Sequence, residues 1–229
     1  MGADFAEEPG HEASRQFECG WSAREQTAED IAARAQELAR RLGLIDPAFG
    51  QVRPDPGSRK FREGDIGPIL DMTSSELVDL IERRGRFDPP RFPADVSDQG
   101  YSILFRNDRL DPSHLSIRVG AGAYERGANR NEVSVSPHRD HPLWRDPQFG
   151  IQILDALAEI WDAEWASAYA WLGRDEGGVR PWLAWTSEPL RVEPVPPYIQ
   201  PYPYPFSRDD VPPPAEVRPW HGGELRIWP

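Results

Sequence analysis

Tyr101-Ser-Ile-Leu-Phe-Arg106, Leu115-Ser-Ile-Arg-Val119 and Glu132-Val-Ser-Val-Ser136 are three short runs in which apolar and polar residues alternate. A period of two puts the apolar set on one side of an extended strand and the polar set on the other. The segments between them carry turn residues, Asn107-Asp108 and Gly120 to Asn131, so an antiparallel meander is the economical arrangement. A sheet with one apolar face needs a cover, and the flanking sequence supplies it as helices.

Upstream, Gln16 to Trp21 alternates Phe17, Cys19 and Trp21 with Gln16, Glu18 and Gly20, which predicts a further strand. Thr27 and Asp30 have N-cap and N3 spacing; Ile31, Ala35, Leu38, Ala39 and Leu42 then share a helical face, with Gly43 expected to end it. Residues 46 to 68 hold too many prolines and glycines for a regular element. Thr73 and Glu76 open a second, shorter helix carrying Leu77, Leu80 and Ile81 and closed by Gly85. Downstream, Phe149 to Leu172 reads as one long helix, with Ile151, Leu154, Ala158, Trp161, Trp165 and Leu172 as its apolar stripe. Trp182 to Thr186 and Leu225 to Trp228 read as late strands, and thirteen of the 25 prolines lie from Pro181 onward.

These elements predict an α+β fold: an antiparallel sheet of about five or more strands against two to three helices, with a proline-rich C-terminal region. Residues 1–14 read as a disordered acidic leader and 15–229 as a single domain. A chain of 229 residues buries enough surface to need no covalent staple.

The formal charge is −12, from 26 basic and 38 acidic residues, and Lys60 is the only lysine. That balance argues against direct nucleic-acid binding, because phosphate contacts need a basic face. It favours attraction to a basic partner. Cys19 is the only cysteine, so an internal disulfide is impossible. No stretch approaches the roughly 18 apolar residues of a membrane span, and the first thirty residues lack a signal peptide's pattern. The expectation is a cytoplasmic protein with no membrane partner.

No motif carries catalysis or calls for a cofactor or metal. His138-Arg-Asp-His141 lies between Pro137 and Pro142, a loop in which two histidines have no helix to align them on a metal. Gly120-Ala-Gly122 begins like a dinucleotide fingerprint, but Glu125 stands at the third glycine position, and a turn is the better reading. Asp155, Glu159 and Asp162 share one flank of the long helix, and no basic residue lies between Pro147 and Gly173. This strip is a candidate partner-binding surface. Tyr198, Tyr202 and Tyr204, alternating with proline between Pro194 and Phe206, are a second candidate.

The opening Phe17-Glu-Cys-Gly-Trp21 strand before a capped helix and Ile69-Leu-Asp-Met-Thr-Ser-Ser-Glu76 before a second begin a pattern. Tyr101 to Ser136, the tryptophan-bearing Phe149 to Trp171 and the closing His221-Gly-Gly-Glu-Leu-Arg-Ile-Trp228 complete it. Over about residues 15 to 228 it resembles the bacterial immunity protein 52 family, antidotes of polymorphic toxin and type VI secretion systems. The resemblance implies a noncatalytic domain that binds and neutralises one cognate toxin effector, a basic nuclease with a restriction-endonuclease-like fold. A scaffold module working through the Pro–Tyr segment, or a small metal-dependent hydrolase using His138, His141 and an acidic residue of the long helix, are the alternatives.

Overall fold

The computed structural model describes residues 12–55, 67–87, 99–107, 112–123, 131–138, 140–172, 179–186 and 214–227. They form nine strands and three α-helices: β1 (Glu12–Trp21), α1 (Ala28–Ile45), β2 (Arg53–Pro54), α2 (Ser74–Arg84), β3 (Gln99–Arg106), β4 (Leu115–Ala123), β5 (Asn131–Pro137), α3 (Pro147–Trp161), β6 (Trp165–Leu172), β7 (Val179–Thr186), β8 (Glu216–Trp220) and β9 (Gly223–Ile227). One sheet runs in the order β2-β3-β4-β5-β1-β6-β7-β9-β8. Every neighbouring pair is antiparallel.

The three alternating runs form the predicted meander, and β1 pairs beside it although it comes first in the chain. Cross-strand register lines up Phe105, Ile117, Val135, Phe17 and Ala168 in one row, and Ile103, Val119, Val133, Cys19 and Ala166 in the next. Both rows are buried. They face the helices: Phe17 meets Phe149 of α3 edge-on at 6.3 Å, and Trp21 stacks on Trp161 at 5.3 Å. α3 lies over β1 and β6, α2 against β3, and α1 packs between the other two helices.

Both capping boxes form. Thr27 and Asp30 cap the start of α1, and Thr73 and Glu76 the start of α2. In the second, the Thr73 backbone N–H donates to Glu76 at 2.9 Å and the Thr73 hydroxyl at 2.8 Å. These bonds hold the Glu76 carboxyl below its ordinary value, the backbone N–H contributing most. A depressed acid stabilises the fold above its unfolded pKa and loses that contribution as pH falls through the folded one. Amide exchange should therefore show the first turn of α2 losing protection on acidification below the ordinary carboxylate range. Glu76→Gln should flatten that dependence.

Four expectations need correction. β1 begins at Glu12, inside the stretch read as leader, with its backbone paired to β6. Gly43 does not end α1, which continues to Ile45. An added Cβ there would sit 3.2 Å from the Gly50 Cα, so the glycine lets the helix pass close to the following turn. Gly120 and Gly122 lie in β4, not in a turn.

The largest correction concerns Phe149 to Leu172, which is a helix followed by a strand. α3 stops at Trp161 because Asp162 turns left-handed (φ 47°), and the chain resumes as β6. Alanines at 166, 168 and 170, good helix formers, hid a period of two in Trp-Ala-Ser-Ala-Tyr-Ala-Trp. β8 was also missed, because Pro219 argues against a strand; it is tolerated since β8 is an edge.

Both sheet edges are blunted. β8 carries Pro219 and the two-residue β2 carries Pro54. The outer side of β3 is taken up by backbone bonds with Asp55, Gly85 and Phe87. Such an edge offers little template for pairing with another chain. Among the described residues, no helix is long and apolar enough to cross a membrane.

Candidate partner-binding surface

α3 is set in place at both ends. Asp146 caps its start by accepting from the Gln148 N–H at 2.9 Å, and Pro147 occupies the first turn. Its far end is capped by arginines from elsewhere in the chain. Arg24 donates to the carbonyls of Trp161 (3.3 Å) and Asp162 (3.1 Å), and Arg34 of α1 donates to the carbonyl of Ile160. Cations at a helix C-terminus satisfy its orphan carbonyls and complement its dipole.

The acidic strip sits on the outward flank of this helix, but its members do not form a free anionic stripe. Asp155 accepts from His221, in the β8–β9 turn, at 3.0 Å. Glu159 pairs with Arg41 of α1 at 2.6 Å, and Asp162 with Arg34 at 2.8 Å and Arg24 at 3.6 Å. Asp162 lies past the last helical residue, in the left-handed cap. The three carboxylates fasten α3 to α1 and to the terminal hairpin while staying part-exposed, at 33, 47 and 61% of their side-chain surface.

The bases were missed because they lie outside the α3 segment. The seven-residue spacing of Arg34 and Arg41, two turns apart on one flank of α1, was the available signal. Solvent screening limits the Glu159–Arg41 pair to under about 1 kcal/mol. Glu159→Arg should lower stability by that order, and adding Arg41→Glu should restore most of it in thermal melts.

Tyr198, Tyr202 and Tyr204, with the whole Pro–Tyr segment, lie outside the described residues. Among the described residues, Cys19, His141 and Glu18 each have an internal partner. Cys19 faces α3, its thiol donating to the Leu157 carbonyl at 3.8 Å, and burial first, then the nearby Glu18 and Glu132, pushes the thiol well above its ordinary range. A thiol so placed is inert as a nucleophile. His141 is 2% exposed and bonds Asp46, at the end of α1, rather than a carboxylate of α3. Glu18, 5% exposed, accepts from the Tyr169 hydroxyl at 3.0 Å. Among the described residues no three His, Cys, Asp or Glu side chains converge to hold a metal.

The sheet's other side is lined over β3, β4 and β5 by short or polar side chains: Ser102, Ser116, Arg118, Glu132, Ser134 and Ser136. Leu104, 38% exposed, stands opposite Arg118 in register. Toward β6 this side closes over, with Glu18, Ser167 and Tyr169 buried and the Trp165 indole lying directly over Gly20. No family model matches the chain, and no curated protein does.

Proposed function

We propose that this chain is a cytoplasmic antidote that binds a cognate toxin effector, a basic nuclease, and neutralises it without chemistry of its own. The observation that carries the reading is the employment of its reactive groups. Cys19, His141, Asp46 and the α3 carboxylates are each engaged in packing, capping or internal ion pairs. The resemblance to immunity proteins and the −12 charge point the same way.

Because the α3 carboxylates are internally paired, attraction toward a basic cleft rests on the net field of the whole chain more than on that strip. Exposed carboxylates with no cross-element ion pair among the described residues, such as Glu25, Glu29 and Asp71, contribute to that field. The blunted sheet edges disfavour docking by strand addition, and among the described residues the helix layer and the serine-lined sheet face are broad surfaces available.

The test is kinetic. Association with a basic nuclease should slow by roughly tenfold or more between low and physiological salt, as electrostatically steered encounters do. Asp155→Asn, which removes one charge while leaving an oxygen that can accept from His221, should change that slope only slightly. A steep loss of association in Asp155→Asn would return the α3 strip to the centre of the interface.

A further inference from the structure

The His138-Arg-Asp-His141 motif finds no use in the proposed function, yet the structure gives His141 a specific arrangement. Its Nδ1 accepts the Leu143 backbone N–H at 3.3 Å, capping the 3₁₀ turn Pro142–Arg145 that connects β5 to α3. Its Nε2 lies 3.0 Å from Asp46 Oδ2, and Asp46 Oδ1 accepts from the Ala48 N–H at 2.8 Å. The ring is stacked on Phe149 at 5.0 Å and tilted against Phe49 at 5.0 Å.

These contacts fix the tautomer. An Nδ1 that accepts a hydrogen bond carries no proton, so the ring's single proton is on Nε2 and is donated to Asp46. A second proton can go only to Nδ1, where the Leu143 N–H already points. Capping and protonation are therefore mutually exclusive at this atom.

The groups facing the ring set the outcome of protonation. α1 contributes the Asp46 carboxylate, while the turn after α1 and α3 contribute only the uncharged Phe49 and Phe149. Among the described residues of its own loop, His138 Nδ1 accepts from the Asp140 backbone N–H and lies 3.7 Å from the Asp140 carboxylate, and Asp146 accepts from the Gln148 N–H. Asp46 can accept from an imidazolium as well as from the neutral ring, so protonation need not expel the side chain. What it ejects is the capped turn.

We infer that His141 is an acid-sensitive latch on the connection into α3. Neutral, it holds the Pro142–Arg145 turn; protonated, it keeps Asp46 and releases the turn, freeing the segment that carries the half-exposed Leu143 and leads to the α3 cap at Asp146.

The experiment uses the full-length, ¹⁵N-labelled chain, reading the His141 ring nitrogens and the Leu143 amide protection factor together from about pH 8 to about pH 5. As Nδ1 becomes protonated, Leu143 protection should fall by about fivefold or more, the equilibrium worth of one capping bond. His141→Asn places a non-titrating acceptor where Nδ1 stood, and its Leu143 protection should be flat with pH. His141→Gln keeps a donor toward Asp46 without the cap, and should leave Leu143 unprotected throughout. The inference is overturned if protection holds while the ring protonates, if the ring stays neutral to about pH 5, or if His141→Asn shows the same acid-dependent loss. Should either variant fail to fold, the two readings on the unsubstituted chain decide the matter.

Discussion

Trp161→Ala should destabilise the fold by about 3–5 kcal/mol, the cost of emptying a large aromatic site that the surroundings cannot refill. Trp161 is fully buried and stacked on Trp21 at 5.3 Å and 13° between ring planes, joining the last turn of α3 to the end of β1. The pair contributes beyond its buried area by about 0.5–1.5 kcal/mol. For a chain of this size, each kcal/mol moves the thermal midpoint by about 2–4 °C, so a fall of about 6–20 °C is expected.

Two further substitutions separate the causes. The Trp161 indole N–H is buried without a hydrogen-bond partner among the described residues. Trp161→Phe removes that orphan donor while keeping an aromatic ring, so its cost should stay under about 1.5 kcal/mol. Leu44→Ala, at a side chain 75% exposed, should fall within about 0.5 kcal/mol of the parent. Comparable midpoints for Trp161→Ala and Leu44→Ala would mean that α3 is not anchored as described.

Gly100→Ala is expected to follow at roughly 3 kcal/mol, for a different reason. Gly100 lies in β3 at φ +78°, and a Cβ there would fall 2.5 Å from the Ala121 carbonyl oxygen and 2.7 Å from the Ala123 nitrogen of β4. Both are backbone atoms of the paired strand, so relief requires moving the ladder rather than a side chain. The left-handed backbone adds about 1–2 kcal/mol and the overpacking about 1–3. Gly222, in the β8–β9 turn at φ +74°, has nothing within 4 Å of its would-be Cβ. Gly222→Ala should therefore show the conformational cost alone, about 1–2 kcal/mol. Urea denaturation of the two variants side by side checks the difference, which vanishes if β3 and β4 are not in close register at Gly100.

The fold was legible wherever one periodicity dominated. That Ile103, Phe105, Ile117, Val119, Val133 and Val135 share one face follows from alternation, and the boxes Thr27–Asp30 and Thr73–Glu76 from spacing, while the cross-strand register does not. It was obscured where composition suits two structures. Alanine-rich β6 continued the helical pattern of α3, and the break between them is one left-handed aspartate with no glycine or proline to announce it.

The candidate site was less legible for a reason of distance. A run without basic residues from Pro147 to Gly173 suggests a free acidic stripe, but Arg24, Arg34, Arg41 and His221 reach it from parts of the chain far away in sequence. Local charge patterning has no access to such pairs. His141 illustrates the same point, since its partner Asp46 comes from the end of α1.

Titrating the purified chain into a basic nuclease effector of the kind it is proposed to bind, with substrate cleavage as the readout, tests the central claim most directly. The proposed function predicts cleavage falling linearly to zero at an equimolar ratio, with a stable complex of the two proteins on gel filtration. Undiminished cleavage at a large excess of this chain, with the two proteins eluting separately, would contradict it.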